Sequence, residues 1–168
     1  DNGSNHWDDG YPSGGNYWSD YTGVDNYGGE NQDIPGSDGI GDTPYSIPGD
    51  NNRDWYPLVV RSVEVSISPD YQSDLRGMTL TYIVIVKNTG NLSDTYDLTV
   101  NDDLGWGPSV SPTSLAIPAG ENRPSTLSVT IPDNAVGCTQ DNIHVTATSQ
   151  ENAEVSDNDS CIAHAAIW

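Results

Sequence analysis

The sequence predicts a mostly β protein in which an irregular, loop-rich segment precedes a β-sandwich. Three observations carry this prediction: the composition changes sharply near residue 58, alternating apolar residues appear only after it, and regular turn signals accompany them. The 168 residues therefore divide into a first segment, 1–58, and a second segment, 59–168.

The first segment is rich in glycine and aromatic residues and poor in aliphatic ones. It holds 11 of the 17 glycines, three of the five tryptophans and six of the nine tyrosines. Neither helical nor alternating periodicity lasts for more than a few residues, which predicts coil with short strand pieces. Because disordered chains are poor in aromatic residues, the rings indicate a fixed structure that needs more than an aliphatic core to hold it.

An acidic glycine loop at residues 33–45 has the composition of a site for a hard cation. Carboxylates alternate there with glycines that let the backbone turn tightly and aim carbonyls inward. The irregular loop favours Ca2+ over Mg2+, and the lack of a His or Cys cluster disfavours Zn2+. The alternative is that the aspartates only cap turns through backbone hydrogen bonds. The predicted calcium ligands are the side chains of Asp33, Asp38 and Asp42 and the carbonyl of Ile40, completed by Asp25, Asp20 or water.

Three motifs of this segment resemble the ending of NosD-type right-handed β-helix proteins. They are GNYWSDY at residues 15–21, DGIGDTPY at residues 38–45 and DWYPL at residues 54–58, and the resemblance covers residues 5–58. It implies a secreted protein of a family common in archaea, in which the segment follows the last coil of a parallel β-helix. This sequence contains no such coil, so we expect the segment to be a cap that contacts another surface.

The second segment has the pattern of an immunoglobulin-like sandwich of seven or eight strands, with turn signals every 8 to 15 residues. The predicted strands are 58–60, 63–67, 80–86, 96–100, 114–117, 125–131, 142–148 and 161–167. Motifs such as VKNTGN at residues 86–91, DTYDL at 94–98 and IPAG at 117–120 resemble the NEW3 or CARDB type of extracellular module. That resemblance covers residues 60–167 and implies a non-catalytic spacer, adhesion unit or accessory domain.

The two cysteines and three sequons indicate secretion. Cys138 and Cys161 are symmetric about residues 149 and 150, where a hairpin loop is expected, so we predict a disulfide between them; the alternative is two reduced, buried thiols. A disulfide would indicate an oxidising, extracellular compartment. The sequons at Asn2, Asn91 and Asn158 predict N-glycosylation. Because the chain begins at Asp1 without a methionine, we expect a processed or excised product.

The charge and the motif content exclude several functional classes. A formal net charge of −20 disfavours nucleic acid and anionic membranes as partners, although solubility or a high-salt habitat also explains such acidity. No apolar run is long enough for membrane insertion. The sequence has no nucleophile elbow, no HExxH and no P-loop, so we expect no catalytic residue and no enzymatic activity.

Two functional hypotheses remain. The first is a calcium-braced structural subunit of a surface coat or extracellular filament, which contacts other copies of itself head to tail through the cap or the C-terminal run. The second is a carbohydrate-binding or adhesion accessory module of a larger secreted protein. For the aromatic residues, a role in the core is favoured over a platform for sugars because aliphatic residues are few. The residues considered for contact with sugars or partners are Tyr17, Trp18, Tyr21, Trp55, Tyr56 and Trp168.

Overall fold

The computed structural model describes residues 7–49 and 52–167, which form strands and loops. Two predicted site residues, Asn2 and Trp168, lie outside this part of the chain. A helix of the length and apolarity needed to cross a membrane is not found in the described residues. The chain divides into two compact units: the first unit is Asp1–Arg61 with Gly90–Ser93, and the second unit is Ser62–Thr89 with Asp94–Trp168. The division therefore follows Arg61 rather than residue 58, and a short distant loop joins the first unit.

Where the structure describes it, the first unit contains only short strand pairs, as its composition predicts. Its strands are β1 (Tyr27–Gly28), β2 (Ile34–Pro35), β3 (Tyr45–Ser46) and β4 (Arg53–Asp54). β1 pairs with β2 and β3 with β4, both antiparallel, and Leu58 forms isolated bridges with Tyr17 and Ile40. The backbone is otherwise held by turns.

Aromatic rings supply much of the interior of the first unit. The rings of Trp18 and Tyr45 stack with their centroids 4.4 Å apart, and Tyr45 meets the edge of Tyr21 at 6.4 Å. Tyr21 is only 4% exposed, and a Cβ added at Gly41 would lie 2.0 Å from its hydroxyl oxygen. Ring pairs of this kind contribute ~0.5–1.5 kcal/mol each beyond the burial of their area. Aromatic packing therefore replaces the missing aliphatic core. It also explains why position 41 is a glycine, because a side chain there would collide with the Tyr21 ring.

The second unit is a two-layer β-sandwich, which confirms the predicted fold class. Its strands are β5 (Val63–Ser68), β6 (Tyr71–Asp74), β7 (Thr79–Asn88), β8 (Asp94–Asp102), β9 (Ser109–Ser111), β10 (Ser114–Ile117), β11 (Asn122–Thr130), β12 (Gln140–Ser149) and β13 (Ser156–Ala165). One sheet has the order β10-β8-β12-β13-β6 and the other has the order β5-β7-β11-β9. Neighbouring strands are antiparallel, except that β6 runs parallel to β13.

Alternation along the strands creates the core of the sandwich. On β7, Tyr82, Val84 and Val86 are buried, whereas Ile83 between them is 57% exposed. β12 follows the same period, and Ile143 is fully buried. Side chains of a strand point alternately to its two faces, so this pattern buries one face of each sheet. The core lies between these two inner faces.

Three details of the strand prediction are wrong. Residues 58–60 do not form a strand, β6 and β9 are strands that the pattern does not predict, and β13 begins at Ser156 rather than at residue 161. The first half of β13 consists of polar residues, so the alternation of its inward and outward side chains cannot be recognised from apolar residues in the sequence. β13 also lies between β12 and β6, so the C-terminal run is not an open edge strand.

The structure contradicts the predicted disulfide because the last hairpin has a different register. Ile143 pairs with Cys161, so the loop is centred near residue 152 rather than at residues 149 and 150. Cys138 lies beside Ala165, to whose carbonyl its amide donates at 2.7 Å. Cys161 lies four residues before Ala165 on β13, and four strand residues span about 13 Å. The two cysteines are therefore much further apart than the roughly 7 Å that a disulfide allows between Cα atoms. Both cysteines are free, with Cys138 exposed and Cys161 buried.

Two carboxylates of β13 cover the outer edge of β5. The side chain of Asp157 accepts a hydrogen bond from the Val65 amide at 2.8 Å, and that of Asp159 accepts one from the Ile67 amide at 2.7 Å. β5 is the terminal strand of its sheet, so these amides have no strand partner there. Inward-pointing carboxylates thus satisfy backbone donors that would otherwise attract another strand.

Candidate functional site

Asp25 anchors the acidic loop from inside the first unit. It is 2% exposed and accepts three hydrogen bonds: from the Ser37 hydroxyl at 2.6 Å, and from the backbone amides of Asp38 at 3.1 Å and Gly39 at 3.2 Å. Donors of this kind stabilise an ionised carboxylate, and the charge-assisted bonds are stronger than neutral ones. Asp25 therefore holds the turn at residues 37–39 in shape.

Asp38 and Asp42, the central predicted ligands, also accept backbone hydrogen bonds. Asp38 accepts from the amides of Gly29 at 3.1 Å and Ile40 at 3.0 Å. Asp42 accepts from the amides of residues 26 and 27, each at 3.1 Å. Each carboxylate thus ties the loop to the backbone of residues 26–29, which lies at and beside β1.

The remaining predicted ligands do not join these carboxylates around one point. Asp20 accepts a hydrogen bond from the Tyr45 hydroxyl at 2.8 Å, Asp33 is exposed, and Ile40 is buried in the core. Among residues 7–49 and 52–167, no three acidic, His or Cys side chains form a group that could hold a metal ion. Calcium binding by the predicted set stays a prediction. The alternative, aspartates that cap turns, accounts for the geometry.

Asp54 is a buried carboxylate that the sequence did not single out. It is fully buried and accepts hydrogen bonds from the Asn16 amide at 2.6 Å, the Trp18 indole N–H at 2.8 Å and the Tyr56 amide at 3.1 Å. A Cβ added at Gly15 would lie 2.0 Å from its Oδ1 atom. Its position at the end of β4 before an aromatic pair gave no signal of this role, because its main partners are 36 and 38 residues away.

The predicted aromatic residues do not form one platform. Trp18 and Tyr21 belong to the interior ring cluster. Tyr17 is 49% exposed and Trp55 is 56% exposed, whereas Tyr56 is half-buried. Of these, Trp55 and Tyr56 line a common open cleft. The structure thus separates a structural set of rings from a set that a ligand can reach.

This cleft has a volume of about 510 Å³. Its walls are fixed by two hydrogen bonds: the Trp55 amide donates to Asp8 at 3.0 Å, and the Tyr56 hydroxyl donates to the Glu30 carbonyl at 3.1 Å. The Arg53 guanidinium lies 5.8 Å from the centroid of the Trp55 ring, within the range of a cation–π contact. The residues that line the cleft are Asp8, Glu30, Asn31, Gln32, Asp42, Pro44, Trp55 and Tyr56.

Gln32 is the unusual residue of the cleft. Its φ angle is +49°, a left-handed conformation that costs a non-glycine residue of order 1–3 kcal/mol. Its side-chain amide donates to the Gly29 carbonyl at 2.9 Å and to Asp38 at 3.2 Å. Its Oε1 atom is buried and has no hydrogen-bond partner among the described residues. A cleft-lining residue is thus held in a strained conformation with one acceptor left over.

The chemistry of the cleft suits recognition of a ring that carries hydroxyl groups. An exposed indole offers a flat apolar face, and the carboxylates of Asp8, Glu30 and Asp42 offer acceptors. The Asn31 side chain supplies both donors and acceptors. The excess of carboxylates disfavours anionic ligands.

The structure contradicts the predicted glycosylation of Asn91. Asn91 is 2% exposed, its Oδ1 atom accepts from the Val60 amide at 2.8 Å, and its amide group donates to the Leu58 carbonyl at 3.2 Å. A glycan on this nitrogen would require the loop to leave the first unit. Asn158 is exposed on β13, and its glycosylation stays a prediction.

No protein-family model and no curated protein matches the chain. Solved structures with a similar fold include a FixG-related protein from Vibrio parahaemolyticus, with a TM-score of 0.50 and 17% identity over 64% of this chain and 100% of that chain. A family 123 glycoside hydrolase from Clostridium perfringens has a TM-score of 0.51 and 13% identity over 64% of this chain and 28% of that chain. At such identities the likeness concerns the fold alone, and the motif resemblances to NosD-type and NEW3/CARDB proteins gain no support from it. The chain contains an immunoglobulin-like β-sandwich.

Proposed function

We propose that this chain is a non-catalytic carbohydrate-binding module of a secreted or cell-surface protein, and that the cleft beside Trp55 is its sugar site. The observation that carries the proposal is the combination of an exposed indole with several carboxylate and amide side chains in one cleft. A carbohydrate matches both features, because a sugar ring has an apolar C–H face and hydroxyl donors around its edge.

Trp55 supplies the stacking surface. Its ring stays 56% exposed although its backbone amide is tied to Asp8 at 3.0 Å. The backbone anchor and the Arg53 contact restrict the ring before a ligand arrives, which lowers the entropy lost on binding. Such an exposed but positioned tryptophan is typical of an anchor residue in a binding site.

The polar groups determine the class of sugar. The Asp8, Glu30 and Asp42 carboxylates can accept hydrogen bonds from ligand hydroxyls. These three charges repel uronic acids and sulfated sugars. The proposed ligands are therefore neutral oligosaccharides.

The test is a screen of immobilised neutral and acidic glycans with the full chain, followed by calorimetry on the best neutral oligosaccharide. Trp55→Ala is expected to reduce affinity at least tenfold. Tyr17→Ala is the matched control, because Tyr17 is an exposed ring of the same unit outside the cleft. Equal affinity in Trp55→Ala and the parent chain, or binding of acidic glycans only, would refute the proposal.

A structural subunit of a surface coat or filament is a second candidate. The exposed apolar side chains on and beside the β1–β2 pair favour it: Val24 is 52% exposed, Tyr27 44% and Ile34 62%. Another copy of the chain that covers these residues would remove apolar area from water. In this candidate, residues 33–42 would bind calcium through carboxylates that also accept hydrogen bonds from backbone amides.

Electron microscopy and sedimentation separate the second candidate from the first. Calcium-dependent polymers that dissolve in a chelator and fail to form with Ile34→Ser would support the structural subunit. Monomers that bind neutral glycans in the presence or absence of calcium would exclude it.

A further inference from the structure

A second cavity adjoins the cleft that contains Trp55, and the two share a wall. Its volume is about 310 Å³, against about 510 Å³ for the cleft, and Asp8 lines both. Both volumes fall in the range of about 300–1,000 Å³ that is usual for small-molecule sites, so each can hold part of a ligand. The residues that line the second cavity are Trp7, Asp8, Asp9, Gly14, Gly15 and Asn16.

Asp8 is held between the two cavities by both of its carboxylate oxygens. Oδ1 accepts a hydrogen bond from the Gly10 amide at 3.1 Å, and Oδ2 accepts one from the Trp55 amide at 3.0 Å. The first bond fixes the chain that leads into the wall of the second cavity, and the second bond fixes the segment that carries the indole. One side chain thus couples the positions of the two cavities.

Two further hydrogen bonds attach the wall of the second cavity to the segment that carries Trp55. The Gly15 amide donates to the Tyr56 carbonyl at 2.7 Å, and the Asn16 amide donates to the Asp54 carboxylate at 2.6 Å. The spacing of the cavities is therefore fixed before a ligand arrives. Such preorganisation lowers the entropy lost by a ligand that enters both cavities.

The second cavity has the chemistry of a site for hydroxyl groups. The carboxylates of Asp8 and Asp9 are acceptors, and the side chain of Asn16 offers an amide oxygen. The amide nitrogen of Asn16 donates to the Trp7 carbonyl at 2.6 Å, which fixes the orientation of the side chain. The two carboxylates disfavour an anionic group here, as the carboxylates of the cleft do.

We propose that the two cavities form one extended site for a neutral oligosaccharide of at least two sugar units. One unit stacks on Trp55 in the cleft, and the next unit passes Asp8 and places its hydroxyls against Asp9 and Asn16 in the second cavity. This inference rests on the proposed function and adds to it the length of the ligand and the direction in which the ligand runs. The chain would then distinguish an oligosaccharide from its monosaccharide.

The test is calorimetry on the full chain with the monosaccharide, disaccharide and trisaccharide of the neutral glycan that the screen selects. Affinity should rise at least tenfold from the monosaccharide to the trisaccharide. Asp9→Ala should remove most of this rise, because Asp9 lines the second cavity and not the cleft. Asp33→Ala is the matched control and should keep the whole rise, because it removes an exposed carboxylate of the same unit that lines neither cavity.

Nuclear magnetic resonance titration provides a readout that does not depend on affinity. The indole N–H of Trp55 should shift with every ligand of the series, because each ligand occupies the cleft. The amide of Gly14, which lines the second cavity, should shift with the disaccharide and the trisaccharide only.

Two outcomes would overturn this inference and leave the sugar site of the cleft in place. One is equal affinity for the monosaccharide and the trisaccharide. The other is a rise in affinity that Asp9→Ala keeps in full, because the additional units would then bind outside the second cavity. A screen in which no neutral glycan binds would overturn the sugar site and the extended site together.

Discussion

Asp54 shows how a single charged residue organises the first unit. Three donors converge on its fully buried carboxylate: two backbone amides and the Trp18 indole. Because Trp18 also stacks on Tyr45, the carboxylate links the ring cluster to the backbone at both ends of the unit. A buried carboxylate is tolerated only when its hydrogen-bonding capacity is used, and here two of its three donors belong to residues distant in sequence.

Asp54→Asn should destabilise the first unit by about 1–3 kcal/mol, because the amide that replaces one oxygen cannot accept the bonds that the carboxylate accepts. Urea unfolding followed by tryptophan fluorescence measures the change. Asp33→Asn is the control, because Asp33 is exposed, and it should shift stability by no more than about 0.5 kcal/mol. Equal effects of the two substitutions would contradict the role assigned to Asp54.

The two thiols should differ strongly in reactivity. Burial, reinforced by the carboxylates of Asp159 and Asp141, raises the pKa of the Cys161 thiol to about 12, whereas Cys138 is exposed. Since the thiolate is the reactive form, one thiol should react quickly in the native chain and a second only in denaturant. Titration with a thiol reagent without prior reduction measures this. A disulfide would leave no reactive thiol in either condition, and Cys138→Ser should remove the fast one.

At the scale of the elements, β13 shows what the register of one hairpin decides. Asp157, Asp159 and Cys161 lie on the inward face of β13, at every second residue. The first two reach the amides of the terminal strand β5, and the later positions are buried in the core. One strand thus both fills the core and protects an edge of the opposite sheet.

Asp159→Ala should lower the free energy of unfolding by about 1–3 kcal/mol, because the Ile67 amide loses its acceptor. The uncovered edge should also promote association between molecules. Chemical unfolding and light scattering measure the two effects. Asn158→Ala is the control on the opposite face of the same strand, and it should change neither the free energy of unfolding nor the light scattering. An equal loss of stability in Asn158→Ala would show a general weakening of β13 rather than the loss of one hydrogen bond.

At the scale of the whole molecule, the first unit is not a continuous stretch of chain. The loop Gly90–Ser93 belongs to it, and Asn91 in that loop bonds to the backbone of Trp18, Leu58 and Val60. A boundary drawn at any one position therefore removes part of the unit. The sequence suggests a glycosylation site at this asparagine, whereas its side chain is occupied inside the protein.

Asn91→Ala should destabilise the first unit by about 1–3 kcal/mol, because it leaves the Val60 amide and two carbonyls without their side-chain partner. Hydrogen exchange at the Val60 amide should become faster, and urea unfolding should shift. Asn134→Ala, at an exposed turn, serves as the control. Unchanged exchange at Val60 would show that the loop does not support the unit.

Local patterns determined much of this protein. Alternation with period two places Val84 inside and Ile83 outside, and the aromatic, glycine-rich composition of residues 1–58 indicates a ring-filled interior. These features depend on neighbouring residues and can be read along the chain. Only the tertiary structure decided which donors meet each carboxylate, where the last hairpin turns, and that Trp55 and Gln32 share a cleft. Some of those partners lie tens of residues apart, such as Asn16 and Asp54, and their meeting depends on register and packing rather than on local propensity.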